Sequence, residues 1–343
     1  MEISGRRIGP DQPPYVIAEI SNNHLADPER ACRLIDIAAR AGADAVKIQT
    51  YDADSLTIDS DRPEFIIRTA PWEGLNYHQL YTKIALPRSF TERLFKVARD
   101  CGITIFSSPF DESAVSLLEG LNCPAYKIAS FEVCDDPLLT AVGATGRPVL
   151  VSTGVANIED IEETLRVLRA AGNTEVALLH CISSYPAATP DMNLRAMDRL
   201  TELNCPVGLS DHSLGNLAAT LAVARGASLI EKHFTISRAD GGPDASFSLE
   251  PDELAGLVRA VREAWSALGD ADLLTRRDRP GSEHARSLFV VKDIAEGERF
   301  TLEHVRAIRP GLGLPPRALR EVLKGRAKKN LVRGQPLRWE DIE

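Results

Sequence analysis

Eight short apolar runs, at residues 15–20, 45–50, 104–109, 125–130, 148–153, 176–181, 206–211 and 228–234, recur through the first three quarters of the chain. Each is followed by polar side chains. Runs this short and this continuously apolar read as strands buried on both faces of a parallel sheet. Between most of them lie segments with helical spacing of apolar positions, at 28–41, 89–101, 112–121, 158–171, 194–203 and 216–225, and another at 252–268 follows the last run. Several close on glycine, at Gly42, Gly102, Gly172 and Gly226, where a left-handed residue ends a helix. The segment 135–145 carries the weakest helical pattern. Eight strands alternating with helices predict an α/β fold, a (β/α)8 TIM barrel.

A barrel of this kind occupies roughly 250 residues, and this chain has 343. The excess falls at the end. After Leu268 the composition turns to charge, with Pro280 and Gly281 closing the stretch, which predicts a barrel domain over 1–269, a linker over 270–284 and a second module over 285–343. That module has strand-like runs at 287–291 and 306–308 and is small enough to gain from docking on something else. The connection 51–86, with Pro71, Trp72, Tyr77 and Tyr81, is too long for an ordinary βα loop. It fits a lid or substrate wall as well as a packed decoration or dimer contact.

The formal charge of -9 opposes a polyanionic partner, and no Lys/Arg run builds a basic stripe. A few cations converging in a cleft still serve a small anion. The cysteines, Cys32, Cys101, Cys123, Cys134, Cys181 and Cys205, show no C-x-x-C pairing and read as reduced thiols. With no apolar leader and no run of membrane-spanning length, a cytoplasmic protein is expected.

Chemistry in a barrel gathers at the C-terminal ends of its strands. Those ends carry Glu19, followed by Asn23 and His24; Lys47 and Gln49, which share a face; Ser107 and Ser108; Lys127 and Ser130, followed by Glu132; Ser152; His180, Ser183 and Tyr185; Ser210 and His212; and Glu231, Lys232 and His233, followed by Asp244. Singly each has an ordinary explanation. Lys47 could pair with Glu19 as a core lysine, and strand-end serines often cap helices. Together, two lysines with serine hydroxyls make a cradle for phosphate and carboxylate. Two imidazoles without thiolates suit a first-row divalent ion such as Mn²⁺ or Zn²⁺, with open positions for water and a substrate oxygen. Glu19, Glu132 and Asp244 could bind sugar hydroxyls or move protons. No nucleotide-binding glycine loop is present.

The segments AEISNNH at 18–24, AGADAVKIQ at 41–49, KIAS at 127–130, STG at 152–154, LHC at 179–181 with YP at 185–186, GLSDH at 208–212 and EKHF at 231–234 resemble the sialic acid synthase family in order and spacing. The tail, with RPGLG at 309–313, resembles the antifreeze-like SAF domain of those enzymes, a β-clip fold. The resemblance implies a synthase condensing phosphoenolpyruvate (PEP) with an open-chain acylamino sugar. In it Lys47, Ser108, Lys127, Ser130, Ser152, Ser183 and Ser210 would bind PEP, Ser183 standing where sialic acid synthases often carry Asn. His212 and His233 would hold the metal, Mn²⁺ foremost, with Mg²⁺ or Co²⁺ as alternatives. Glu19, Gln49, Glu132, Tyr185 and Asp244 would contact the sugar, and Glu19, Lys47 and Lys127 would be catalytic. Family members form domain-swapped homodimers, which would bring Arg309 to the partner subunit's substrate.

The stretch 237–250 resembles the pseudaminic acid synthase branch: Ala245 follows Gly-Pro-Asp where other branches tend to carry His. That implies a 6-deoxy diacetamido hexose as substrate, with N-acetylneuraminate or legionaminate synthesis as the alternative. Two further readings compete. Lys127 or Lys232 could be the Schiff-base nucleophile of an aldolase, and an inactive barrel could serve only to bind sugar.

Overall fold

The structure is a computed structural model and describes residues 1–68, 72–275 and 279–343. Pro71 of the long connection and residues 276–278 of the expected linker lie outside the described residues. The chain divides into two compact units, Met1–Gly269 and Asp270–Glu343.

The first unit opens with a two-stranded antiparallel hairpin, β1 (Glu2–Ile3) and β2 (Arg6–Arg7). The barrel follows: β3 (Tyr15–Glu19), β4 (Ala45–Thr50), β5 (Thr104–Pro109), β6 (Tyr126–Ile128), β7 (Val149–Ser152), β8 (Val176–Cys181), β9 (Val207–Asp211) and β10 (Leu229–His233). All neighbours pair in parallel, and β10 returns to β3 to close the sheet. Every residue of β3, β8, β9 and β10 is buried. Closure explains this: one face of each strand fills the barrel and the other lies under helices, so no face meets water.

The helices are amphipathic covers. Pro28–Arg40 starts on an Asp27 cap that accepts from the Glu29 N–H and buries Leu34, Ile35 and Ala38. Thr91–Cys101 ends on Gly102 at φ 70°, and the other glycines expected to close helices also have positive φ. The weakly patterned 135–145 is a helix, Asp136–Ala144, capped by Asp135. The segment 194–203 is shorter than its pattern predicts. It resolves into a 3-10 turn, Leu194–Ala196, and one helical turn, Met197–Thr201, that buries only Met197 and Leu200. The left-handed Asn204 lies just beyond it.

The connection after β4 carries two helices, Ala53–Leu56 and Tyr77–Ile84, the second held by a capping box at Asn76 and Gln79. Arg88 pairs with Asp52 at its start and with Asp111 after β5.

In the second unit, the expected linker stretch contains 3-10 turns at Ala271–Leu274 and Ser282–His284. β11 (Ser287–Val290) and β12 (Val305–Ile308) pair antiparallel over a small core that includes Leu288, Val290, Phe300, Val305, Val322 and Leu337.

Candidate active site

Side-chain alternation decides what each strand delivers to the mouth. From β4, Lys47 and Gln49 reach one cavity of about 290 Å³. The other strand ends bring Glu19, Lys127, Ser130, Glu132, Ser152, Ser210, His212 and His233 into it, with Tyr185 and Asp244 from the loops. They come from the ends of β3, β4, β6, β7, β9 and β10 and from two loops, and closing the sheet makes them neighbours. Ser108 reaches the group indirectly, by accepting from Lys47 Nζ at 3.3 Å. Ser183 sits beside it, where a Cβ on Gly154 would fall 2.3 Å from its Oγ and 2.8 Å from that of Ser130. Only a glycine leaves that notch open. Arg309 belongs to the second unit.

The floor is ionic and almost dry. Lys47 Nζ lies 2.9 Å from Glu19 and 3.5 Å from Glu231, and Lys127 Nζ lies 3.8 Å from the same Glu231 oxygen. Lys127 also donates to Ser152 Oγ at 2.6 Å, and Ser210 Oγ donates to Glu231 at 3.1 Å. Burial pushes the Glu19 carboxyl above its ordinary pKa, more than Lys47 draws it down. Burial acts on Glu231 in the same sense, but Lys127 and Lys47 outweigh it and hold that carboxyl low. Burial also lowers Lys127. Two carboxyls whose environments drive them apart mark a site that handles protons.

The opposite side is aromatic and imidazole. His212 and His233 stand with ring centroids 5.2 Å apart, Tyr185 packs on His212 at 4.3 Å and Phe247 on His233 at 4.9 Å. The Ile182 carbonyl lies 2.9 Å from His212 Nδ1. A carbonyl can only accept, so Nδ1 carries the hydrogen; burial lowers the pKa of this ring, but Cys181 and the Ile182 carbonyl outweigh it and raise it, so Nε2 offers a lone pair only once the ring gives up its second proton. Burial, then the neighbouring cations, hold His233 well below the usual range, so its ring is neutral.

Among the described residues, Glu132 Oε2, Glu231 Oε2 and His233 Nδ1 are buried without a hydrogen-bond partner. All three belong to residues of this cavity, as expected where a ligand supplies the missing contacts. The same described residues hold no cluster of three or more His, Cys, Asp or Glu able to bind a metal. His212 and His233 are the two imidazoles of the cavity and could serve a metal only as a two-donor set, with water and substrate completing it.

Several strand-end residues prove structural. His180 Nε2 meets the Met192 carbonyl at 2.7 Å. Asn23 ties Phe234 to Ser248, and Ser107 pairs with Thr50. His24 Nδ1 accepts from the Ala26 N–H, and burial lowers its pKa to about 4. Lys232, a nucleophile candidate for the aldolase reading, is buried in an ion pair with Asp211 on the strand face opposite Glu231 and His233.

Glu231, named among the strand ends but given no role there, is the main member of the site beyond the assigned residues. Its spacing from His233 was the available signal, since residues two apart share a strand face. Tyr51, Leu56 and Tyr81 line the cavity, as a substrate wall built from the long connection 51–86 would, whereas Ser21, which donates to Asp244 at 2.5 Å, and Phe110 carry no comparable signal.

The NeuB family matches residues 34–272 and the SAF domain residues 285–343. The pseudaminic acid synthase of Campylobacter jejuni is 41% identical over 97% of this chain and 98% of its own length. The N,N'-diacetyllegionaminic acid synthase of Legionella pneumophila is 34% identical over 96% of this chain and 94% of its own. Among solved structures, the N-acetylneuraminic acid (sialic acid) synthetase of Leptospira borgpetersenii, in complex with citrate, superposes with a TM-score of 0.72 at 33% identity, covering 79% of this chain and 90% of that one. The chain belongs to the NeuB family and carries a SAF domain at its C-terminal end.

Proposed function

We propose that this protein is a PEP-dependent pseudaminic acid synthase, which condenses PEP with 2,4-diacetamido-2,4,6-trideoxy-L-altrose to give pseudaminic acid and phosphate. One observation carries the reading. A single cavity gathers two lysines, set among carboxyls and serine hydroxyls, with two imidazoles and Tyr185 across from them, which suits a phosphoenol acid facing a sugar aldehyde. The higher identity to a pseudaminic than to a legionaminic acid synthase, 41% against 34%, favours this sugar. The apolar wall of Tyr51, Leu56, Tyr81 and Phe110 offers acetamido methyls a dry surface, which suits a diacetamido sugar of either kind.

Lys47 and Lys127 bind the phosphate and carboxylate charges, with Ser108, Ser130, Ser152, Ser183 and Ser210 supplying hydroxyl donors. Gln49, Glu132, Tyr185 and Asp244 orient the sugar. C3 of PEP attacks the aldehyde carbon and forms the new carbon–carbon bond. Water then adds at C2, and the C2–O bond to phosphate breaks as the new C2 hydroxyl becomes a ketone, its proton leaving with the phosphate. Glu19, whose raised pKa suits a base working near neutrality, takes the proton that water loses, while the former aldehyde oxygen gains one. A divalent ion held by His212 and His233, Mn²⁺ with Mg²⁺ or Co²⁺ as alternatives, would supply Lewis-acid polarisation of the aldehyde oxygen.

The reading extends to a cytoplasmic homodimer in which each SAF domain covers the partner's barrel and brings Arg309 to its sugar. Among the described residues no helix is long and apolar enough to cross a membrane.

The test is to incubate pure protein with PEP, Mn²⁺ and a panel of acylamino hexoses, following phosphate release and product mass. Turnover is expected with the trideoxy diacetamido altrose above all others. Preference for N-acetylmannosamine or its 2,4-diacetamido analogue would move the protein to a sister activity. A borohydride-trapped pyruvate adduct without phosphate release would replace the synthase with an aldolase.

A further inference from the structure

Behind the two imidazoles, on the far face of the same strands, lies an ion pair that the chemistry above does not use. Lys232 stands directly opposite Asp211 in the β9–β10 ladder, and its Nζ lies 2.7 Å from Asp211 Oδ2 with both side chains fully buried. The same ammonium donates to the Ser213 carbonyl at 2.6 Å. The other Asp211 oxygen accepts from the Ser213 N–H at 2.8 Å and from its hydroxyl at 2.7 Å.

The chain positions give this cluster its meaning. Asp211 and Ser213 flank His212, and Lys232 immediately precedes His233. One ammonium thus joins the residue before the second imidazole to the residues on both sides of the first. Stability does not explain it, because packed apolar side chains hold such a spot at least as well as a buried ion pair. What charges add is direction: fixed hydrogen bonds that allow one separation between two strand ends. At their cavity face the rings pack against Tyr185 and Phe247, which limits their tilt, but few directional bonds set their separation there. His212 is tied to Ile182 at 2.9 Å, and His233 Nδ1 has no partner among the described residues.

We infer that Asp211 and Lys232 are positioning residues that fix the spacing and orientation of His212 and His233 from behind, and so set the protein's affinity for a divalent metal. This rests on the reading of the two histidines as the metal holders. The pair touches neither substrate nor the lysines of the PEP cradle.

The test measures Mn²⁺ binding to the full-length protein directly, by the paramagnetic resonance signal of free Mn²⁺, in the wild type and in the double variant Asp211→Asn/Lys232→Met. Asn keeps an acceptor for Ser213 while both charges go. The variant is expected to melt cooperatively and to bind Mn²⁺ roughly 10- to 100-fold more weakly, as lost outer partners of metal ligands typically cause. With Mn²⁺ raised to saturation, its KM for PEP is expected to stay within about twofold of wild type, since the cradle is intact. Equal Mn²⁺ affinity in the two folded proteins overturns the inference. Should the double variant not fold, Asp211→Asn alone carries the same test, and unchanged affinity there overturns it as well. A wild type that binds no Mn²⁺ removes instead the assignment of His212 and His233.

Discussion

At the scale of single residues the cavity depends as much on what is missing as on what is present. Gly154 follows β7 closely, and its backbone N–H donates to Ser130 Oγ at 3.2 Å. A Cβ there would press on Ser183, Ser130 and, at 3.1 Å, on Cys181, two of which are hydroxyls assigned to PEP. The strand end is well anchored in the sheet, so the hydroxyls have to yield. Gly154→Ala is therefore expected to raise the KM for PEP by roughly 5- to 150-fold, the binding equivalent of about 1–3 kcal/mol of overpacking. The sugar KM should move little. Steady-state kinetics with each substrate varied in turn checks this, and a selective rise in the sugar KM would place the PEP cradle elsewhere.

At the scale of elements, one guanidinium pins the start of the long connection after β4. Arg88 reaches Asp52 at 3.0 Å and Asp111 at 2.5 Å, so the helix that supplies Leu56 to the cavity wall is pinned to the loop after β5. Asp111 also caps the following helix by accepting from the Ala114 N–H. Its burial alone would raise its pKa, but Arg88, Ser113 and the Ala114 N–H outweigh that and hold it below its ordinary value. A depressed carboxyl stabilises the fold above its unfolded pKa of about 3.9 and loses that contribution as pH falls through the folded value. Asp111→Asn keeps the cap and removes the charge. The wild type is expected to be more stable by about 0.5–1 kcal/mol at neutral pH, the range of a partly exposed ion pair. The gap should close progressively below about pH 4. Denaturant unfolding at several pH values checks it, and a gap independent of pH would mean that charge is not what Asp111 contributes.

Elements also show what a sequence can disclose. The barrel is legible because β3, β8, β9 and β10 are buried at every position, so their runs are apolar up to the polar residues at their C-terminal ends, and because capping residues and glycines punctuate the covers between them. The lysines, imidazoles and carboxyls at strand ends are legible for the same reason: such groups are conspicuous in an apolar run. The short turn at 197–201 is not, since helical spacing cannot show how much of a face another element covers. The wall is legible in part: the length of the connection 51–86 points to one, but which of its side chains, Tyr51, Leu56 and Tyr81, face the cavity is decided only by the path of the loop. The Asp211–Lys232 pair is hidden differently. Its members lie 21 residues apart, and without the register of β9 against β10 nothing in the sequence pairs them.

At the scale of the whole molecule, the proposed exchange of SAF domains makes a prediction that one chain cannot satisfy. If each site combines the barrel of one subunit with Arg309 of its partner, Lys127→Ala and Arg309→Ala damage different halves of the same site. In a mixed dimer one site receives both lesions and the other receives neither. Co-refolding or co-expression of the two variants in equal amounts gives about half mixed dimers, and hence about a quarter of all sites intact. Each variant alone should be weak, Lys127→Ala because the phosphate and carboxylate lose a cation and Arg309→Ala through a raised sugar KM, while both elute as dimers. Recovery of about a quarter of the wild-type rate at subsaturating sugar is the expected result of that statistical mixing. If Arg309 acted within its own subunit, the mixed dimer would carry one lesion in each site and no recovery would be seen. Activity that stays at the mean of the two variants would therefore return Arg309 to its own chain.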